Sequence, residues 1–166
     1  MVQLARIRRT QFAQVRGDDS PATTRSLTNY RKPMTPRTDA NNCFVCGPAN
    51  PIGLQLTFHL EEEVCRSEFT PGSNHMGYDN VTHGGILFSA LDDVMANWLF
   101  LKGQRAFTAK CDIRYRNPAP LGSTICLEGT LVKQKGKLAV LKGKAFCKST
   151  GKIFAETEAS FVIAGA

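Results

Sequence analysis

The sequence predicts an α+β fold in which a curved antiparallel sheet wraps around one long apolar helix, and three observations predict it. Segments of strict apolar–polar alternation stand on both sides of a single stretch with no such alternation. That stretch, Ile86 to Leu101, is apolar at twelve of its sixteen positions, so it must be enclosed on nearly all sides. Gly129 and Gly143 fall on the apolar faces of two successive strands and leave a groove where a bulky element can lie close to the sheet. At 166 residues the chain is long enough to close one core without staples. The apolar stretch is shorter than the roughly 20 uninterrupted residues of a membrane span, and aspartates in lipid are costly, so no transmembrane helix is expected.

The chain opens with a basic arm over residues 1–42, expected to be flexible, ahead of one folded domain over 43–166. The net charge is +7, and the arm holds eight basic residues against three acidic ones, 8 − 3 = +5. The folded part is therefore almost neutral, and nucleic acid is not an expected partner. A cleavable organelle-targeting peptide has the arm's Arg-rich, Ser/Thr-rich composition, as does a plain unstructured tail. It lacks the apolar core of a secretory signal, which favours a cytoplasmic protein, with an organelle matrix if the arm is a targeting peptide.

Six cysteines without an export signal suggest reduced thiols. Cys43 and Cys46 form a CxxC, but a structural zinc site needs a second pair of ligands at similar close spacing, and none is present in the sequence. No metal is expected.

Past Pro48, Pro51 and Gly53, the alternation of Leu54, Leu56, Phe58 and Leu60 with Gln55, Thr57 and His59 predicts a half-buried strand. A second strand runs from Val64 to Phe69 and stops at Pro71-Gly72, and Asn74 to Thr82 is a loop. The apolar stretch follows as a helix of about 18 to 20 residues, punctuated by Gly103. Then Phe107, Ala109, Cys111, Ile113 and Tyr115 face one way, with Thr108, Lys110, Asp112 and Arg114 facing the other. The strand carrying Ile125, Leu127, Gly129 and Leu131 turns at Lys135-Gly136-Lys137 into one carrying Ala139, Leu141, Gly143, Ala145 and Cys147. A three-residue turn would set Leu131 opposite Leu141 and Gly129 opposite Gly143, which keeps Cys126 and Cys147 on opposite faces. A last strand runs from about Ile153 to Ile163.

Two carboxylates, Asp92 and Asp93, interrupt the apolar helix. On a wheel of 100° per residue, Leu87, Leu91, Val94 and Trp98 share the sector facing the sheet. Gly85 and Asp92 lie within about 20° of each other on the opposite side. Asp92 is flanked by Phe88, Ala96 and Leu99, while Asp93 joins Ser89 and Asn97 on a polar stripe. The helix start at His83-Gly84-Gly85 offers unpaired amides and the positive end of the dipole, able to polarise a carbonyl. Asp92 among apolar neighbours can serve as general base or nucleophile. Along the axis about 10 Å separates Gly85 from Asp92, so one helix cannot bring both to the same carbonyl. An antiparallel copy across a twofold axis could, which predicts an active site shared by two subunits. The plainer reading is that the glycines only start the helix and Asp92 is a satisfied interface carboxylate.

His83-Gly84-Gly85 followed by Asp92, inside a long apolar helix and ahead of Tyr115-Arg116-Asn117-Pro118-Ala119-Pro120-Leu121-Gly122, resembles the hotdog-fold acyl-CoA thioesterases of the phenylacetate-pathway type. Cys43-Phe44-Val45-Cys46-Gly47 with Asn50-Pro51-Ile52-Gly53-Leu54 is similar to the opening of one branch of that family. The resemblance covers about residues 43–163. It implies hydrolysis of an acyl-CoA thioester with no metal and no cofactor beyond the coenzyme A of the substrate, in a homodimer or homotetramer. By position it implies that the Gly85 amide polarises the carbonyl, that Asp92 of the facing subunit attacks it or activates water, and that Thr108 supplies a hydroxyl near the water. His83 would brace the loop, with Gly84 beside it lining the substrate site. Many relatives carry an asparagine six residues before the histidine, where this chain has Gly77. His75 and Asn80 are the residues at hand to replace it. Arg114 and Arg116 are candidates for the coenzyme A phosphates, although such residues are more often a solvated face. Two other readings remain, a hotdog hydratase or dehydratase and a non-catalytic acyl-CoA-binding regulatory module.

Overall fold

The apolar stretch and its flanking alternations fold as one helix and six strands. A computed structural model describes residues 39–165, so the basic arm falls almost wholly outside the described residues. The elements in chain order are β1 (His59–Glu61), β2 (Val64–Phe69), α1 (Gly84–Leu101), β3 (Ala106–Tyr115), β4 (Ile125–Lys135), β5 (Leu138–Cys147) and β6 (Ile153–Ile163), with a 3-10 turn at Ser73–His75. The strands form one antiparallel sheet in the order β1-β2-β4-β5-β6-β3. α1 is inserted in the chain between β2 and β3, and β3 is delivered to the edge far from β1.

The sheet-facing sector of α1 is the expected one. Leu87, Leu91, Val94 and Trp98 are all buried, and Met95 and Leu99 join them in a core completed by Phe58, Ile125, Leu127, Leu141, Phe154 and Phe161. Each such side chain contributes roughly 1.5–3 kcal/mol by leaving water. The Trp98 indole also donates to the Glu63 carbonyl at 2.8 Å, pinning the β1–β2 turn to the helix. By length and mean hydropathy of 1.2, α1 could cross a membrane, and its packing against the sheet accounts for that composition.

The glycine groove is present. Gly129 pairs with Gly143 across β4 and β5. A Cβ on Gly129 would come within 2.9 Å of the Val94 carbonyl oxygen, and one on Gly143 within 3.2 Å of Leu91 Cδ2. Leu131 pairs with Leu141 as expected, but by a different route. Lys135 pairs with Leu138 across a two-residue turn with Gly136 at φ +57°, and a bulge between Leu131 and Lys133 restores the register. Cys126 and Cys147 lie on opposite faces, and all six cysteines are free thiols.

Two expectations need correction. The Leu54–Leu60 alternation is real in burial, with Leu56 and Phe58 buried, yet only His59–Glu61 joins the sheet. The Leu54 and Leu56 amides instead donate to the Phe44 and Val45 carbonyls, each at 2.8 Å, so this segment pairs with the CxxC loop. In β3 the expected alternation breaks at a bulge between Thr108 and Lys110. An extra residue flips the phase, so Thr108 and Cys111 share the helix-facing side, and Phe107 is 61% exposed.

Candidate active site

Asp92 is half-buried and its Oδ1 accepts a 2.8 Å hydrogen bond from the Thr108 hydroxyl. The β3 bulge makes this contact by turning Thr108 onto the helix side. Asp92 therefore faces the β3 edge of its own sheet, where the helical wheel alone had pointed it away from that sheet. Burial pushes its carboxyl up from the ordinary value of 3.8, against a lesser lowering by the Thr108 bond. A carboxylate raised in this way is a stronger base than one in water.

At the start of α1, His83 is the N-cap with extended backbone (φ −60°, ψ 134°), and its Nδ1 accepts from the Gly85 amide at 3.0 Å. The expectation of unpaired amides is thus corrected at Gly85. An N-cap residue in this conformation brings its side chain over the second helical amide, and histidine has an acceptor there. A carbonyl bound at Gly85 must replace the imidazole. A Cβ on Gly85 would lie 3.0 Å from that Nδ1, and one on Gly84 would lie 3.2 Å from the Tyr115 hydroxyl. The Tyr115 hydroxyl donates to the Gly84 carbonyl at 2.8 Å.

The loop before the helix is held by backbone bonds from Gly77 N–H to Val81 O at 2.9 Å, His83 N–H to His75 O at 2.8 Å and Thr82 N–H to Ala119 O at 2.8 Å. Gly77 abuts His83, where a Cβ would come within 3.1 Å of its Cα, so a larger side chain there would require the histidine to shift. His75 Nδ1 accepts from the Gly72 amide at 3.0 Å, closing its own 3-10 turn. Asn80 is exposed at the loop tip in the left-handed region, φ +62°, and its carbonyl accepts from Leu121 N–H at 3.1 Å. These hydrogen bonds tie both residues to the loop itself and to the neighbouring segment at Leu121.

A cleft of about 340 Å³ opens beside the helix start, lined by Tyr78, Thr82, Gly84, Leu87, Tyr115 and Arg116 among others. Arg116 Nε is held by Glu156 Oε2 at 2.7 Å. Arg114 does not line this cleft. It borders a wider depression of about 640 Å³ on the outer sheet face, where Lys142, Lys144, Glu128, Glu156 and Glu158 mix both signs of charge. The smaller cleft is the one in contact with the helix start, and Arg114 fits a solvated face. The sequence marks Tyr115 on one face of its strand and at the start of the Tyr115–Gly122 motif without giving it a site role, and it does not single out Tyr78, since an aromatic in a loop has no distinguishing period.

A six-stranded antiparallel sheet packed on a single core helix, with a carboxylate halfway along the helix and glycines at its start, is the arrangement of a hotdog-fold domain. Residues 79–154 match the family model of the Thioesterase superfamily. The chain is 27% identical over 94 residues to the acyl-coenzyme A thioesterase THEM5 of Homo sapiens, covering 57% of this chain and 38% of the relative. It thus spans less than half the length of that relative. Among solved structures, a thioesterase superfamily protein aligns with TM-score 0.67 and 26% identity over 71% of this chain and 61% of the other. The E. coli PaaI protein of the phenylacetic acid degradation operon aligns with TM-score 0.65 and 20% identity, over 73% of this chain and 85% of its own.

Proposed function

We propose that this protein hydrolyses acyl-CoA thioesters to the free acid and coenzyme A. The observation that carries the reading is the half-buried Asp92, its basicity raised by burial and its Oδ1 oriented by Thr108. The Thioesterase superfamily match and the acyl-coenzyme A thioesterase relative support the substrate class. Gly85 and Asp92 lie about 10 Å apart along α1, so the reading requires two copies, with Asp92 of one facing Gly85 of the other.

In that arrangement the thioester carbonyl displaces His83 from the Gly85 amide, which then stabilises the developing oxyanion, an interaction often worth about 3 kcal/mol. Asp92 takes a proton from water whose oxygen adds to the carbonyl carbon, or adds to that carbon itself. In the second case, once the C–S bond has broken, it holds the acyl group as a mixed anhydride that water then hydrolyses to the free acid. On either route the C–S bond breaks and the coenzyme A sulfur leaves as thiolate, taking up a proton. Tyr115 holds the Gly84 carbonyl and so fixes the helix start. Arg116 lines the cleft, which supports a role for it against a coenzyme A phosphate.

The test is thiol release from short, medium, long and aromatic acyl-CoAs. The wild-type chain should turn over medium-chain or aromatic substrates, and Asp92→Asn should lose at least about 100-fold in rate with fold and oligomer intact. Equal rates for the variant and wild type would make Asp92 structural.

A further inference from the structure

The second carboxylate of α1 faces a different set of atoms. A carboxylate oxygen of Asp93 and the sulfurs of Cys43 and Cys46 all lie within 4.8 Å of one another. Donors around a tetrahedral ion with bonds of about 2.3 Å are about 3.8 Å apart, so a rotamer adjustment of about 1 Å closes the set. The sequence shows no second ligand pair near the CxxC, and the fold brings the third ligand from the middle of the helix instead.

The cysteine loop is built around its sulfurs. The Gly47 amide donates to the Cys43 carbonyl at 3.0 Å, and the Val45 amide points at Cys43 Sγ from 3.4 Å. That contact holds the Cys43 sulfur in one orientation. A Cβ at Gly47 would stand 2.4 Å from the Cys43 nitrogen and 2.5 Å from the Asn41 oxygen, so only glycine allows the turn to wind this tightly. Val45 is buried and pairs through its carbonyl with Leu56, which fixes the loop to the core.

The carboxylate is equally well held. Asn97, 1% exposed, donates to Asp93 Oδ2 at 3.1 Å and to the Asp93 carbonyl at 2.8 Å. Outer hydrogen bonds of this kind orient ligating carboxylates.

We propose that Cys43, Cys46 and Asp93 bind a zinc ion that clamps the segment before β1 onto α1. Two thiolates and a carboxylate suit zinc, and water takes the fourth tetrahedral position. Binding releases one proton from each cysteine to solvent, with no change of oxidation state. The ion fixes the helical turn that carries Asp92 on its neighbouring position.

The test uses the full chain, reduced and stripped with a chelator, then titrated with Co²⁺. One equivalent should produce a thiolate-to-cobalt charge-transfer band together with tetrahedral ligand-field bands, and Zn²⁺ should abolish both. Cys46→Ser and Asp93→Asn should each weaken cobalt binding by more than about 10-fold, with Cys126→Ser unchanged. Because a cysteine variant can fail to fold, the wild-type chain provides a second measurement. Zn²⁺ should slow iodoacetamide labelling of Cys43 and Cys46, read by mass spectrometry, and leave Cys126 at its original rate. Absence of the charge-transfer band in the reduced wild-type chain, or identical labelling with and without Zn²⁺, overturns the proposal. So does a Cys43–Cys46 disulfide whose reduced form binds no cobalt.

Discussion

Asp92 is subject to two opposing influences on its proton, and their balance makes a pH prediction. Burial raises its affinity for the proton and the Thr108 hydroxyl lowers it, with burial the larger. Activity that needs the carboxylate should therefore fall on the acid side with a midpoint above 3.8. Thr108→Ala removes the lowering influence, so the acid limb of kcat/KM against pH should move to higher pH. A limb that stays in place would separate Thr108 from the Asp92 proton. The stability sign follows from the same shift. The folded-state value is raised, so the fold favours the protonated form, and stability falls as pH rises from 3.8 through the folded value. Asp92→Asn keeps an acceptor for Thr108 without the charge. It should melt at or above the wild-type temperature at pH 7 while losing activity, and a lower melting temperature would point to a stabilising role for the charge.

At the scale of elements, the contact between α1 and the sheet depends on two missing side chains. Helix backbone approaches the sheet where Gly129 and Gly143 face each other, and any Cβ at Gly129 meets the Val94 carbonyl. That obstacle is backbone within a packed helix, so it cannot swing aside. Gly129→Ala should cost roughly 1–3 kcal/mol, read as a lower denaturant midpoint with unchanged slope. An unchanged midpoint would mean that the helix can lift off the sheet at little cost. β3 shows how an element can mislead a pattern reading. Its alternation is regular in the sequence, yet the bulge before Lys110 reverses the facing of Thr108. The position of such a bulge is decided by pairing with β6, which no window along β3 alone contains.

For the whole molecule, the proposed hydrolysis depends on a second copy, because about 10 Å of helix separates the two groups it would use. Complementation measures this directly. Asp92→Asn and Gly85→Pro, the latter lacking the amide proton but permitted in a first helical turn, should each be nearly inactive alone. Mixed after unfolding and refolding together, they should recover about one quarter of wild-type activity, because half the dimers are mixed and each mixed dimer has one intact site of two. No recovery from soluble mixed dimers would place both groups' work within one chain. In the tertiary structure β3 stands at one edge of the sheet with Thr108 upon it, so the acid and its partner hydroxyl lie together at that boundary of the molecule.

The sequence by itself determined the α+β class, the bounds of the helix to within a residue or two, the sector it turns to the sheet, the Gly129–Gly143 opposition and the pairing of Leu131 with Leu141. These follow from periodicity and from residues that lack side chains, and both are local properties of the chain. It also singled out Asp92, Gly85 and Thr108, the last through family resemblance alone. Only the tertiary structure decided that Leu54–Phe58 pairs with the cysteine loop, that His83 occupies the Gly85 amide, and that Thr108 turns to Asp92. It also decided that Cys43 and Cys46 meet Asp93. Each of those depends on groups distant in the chain or on a side-chain torsion, and a spacing rule applied along one dimension has no access to either.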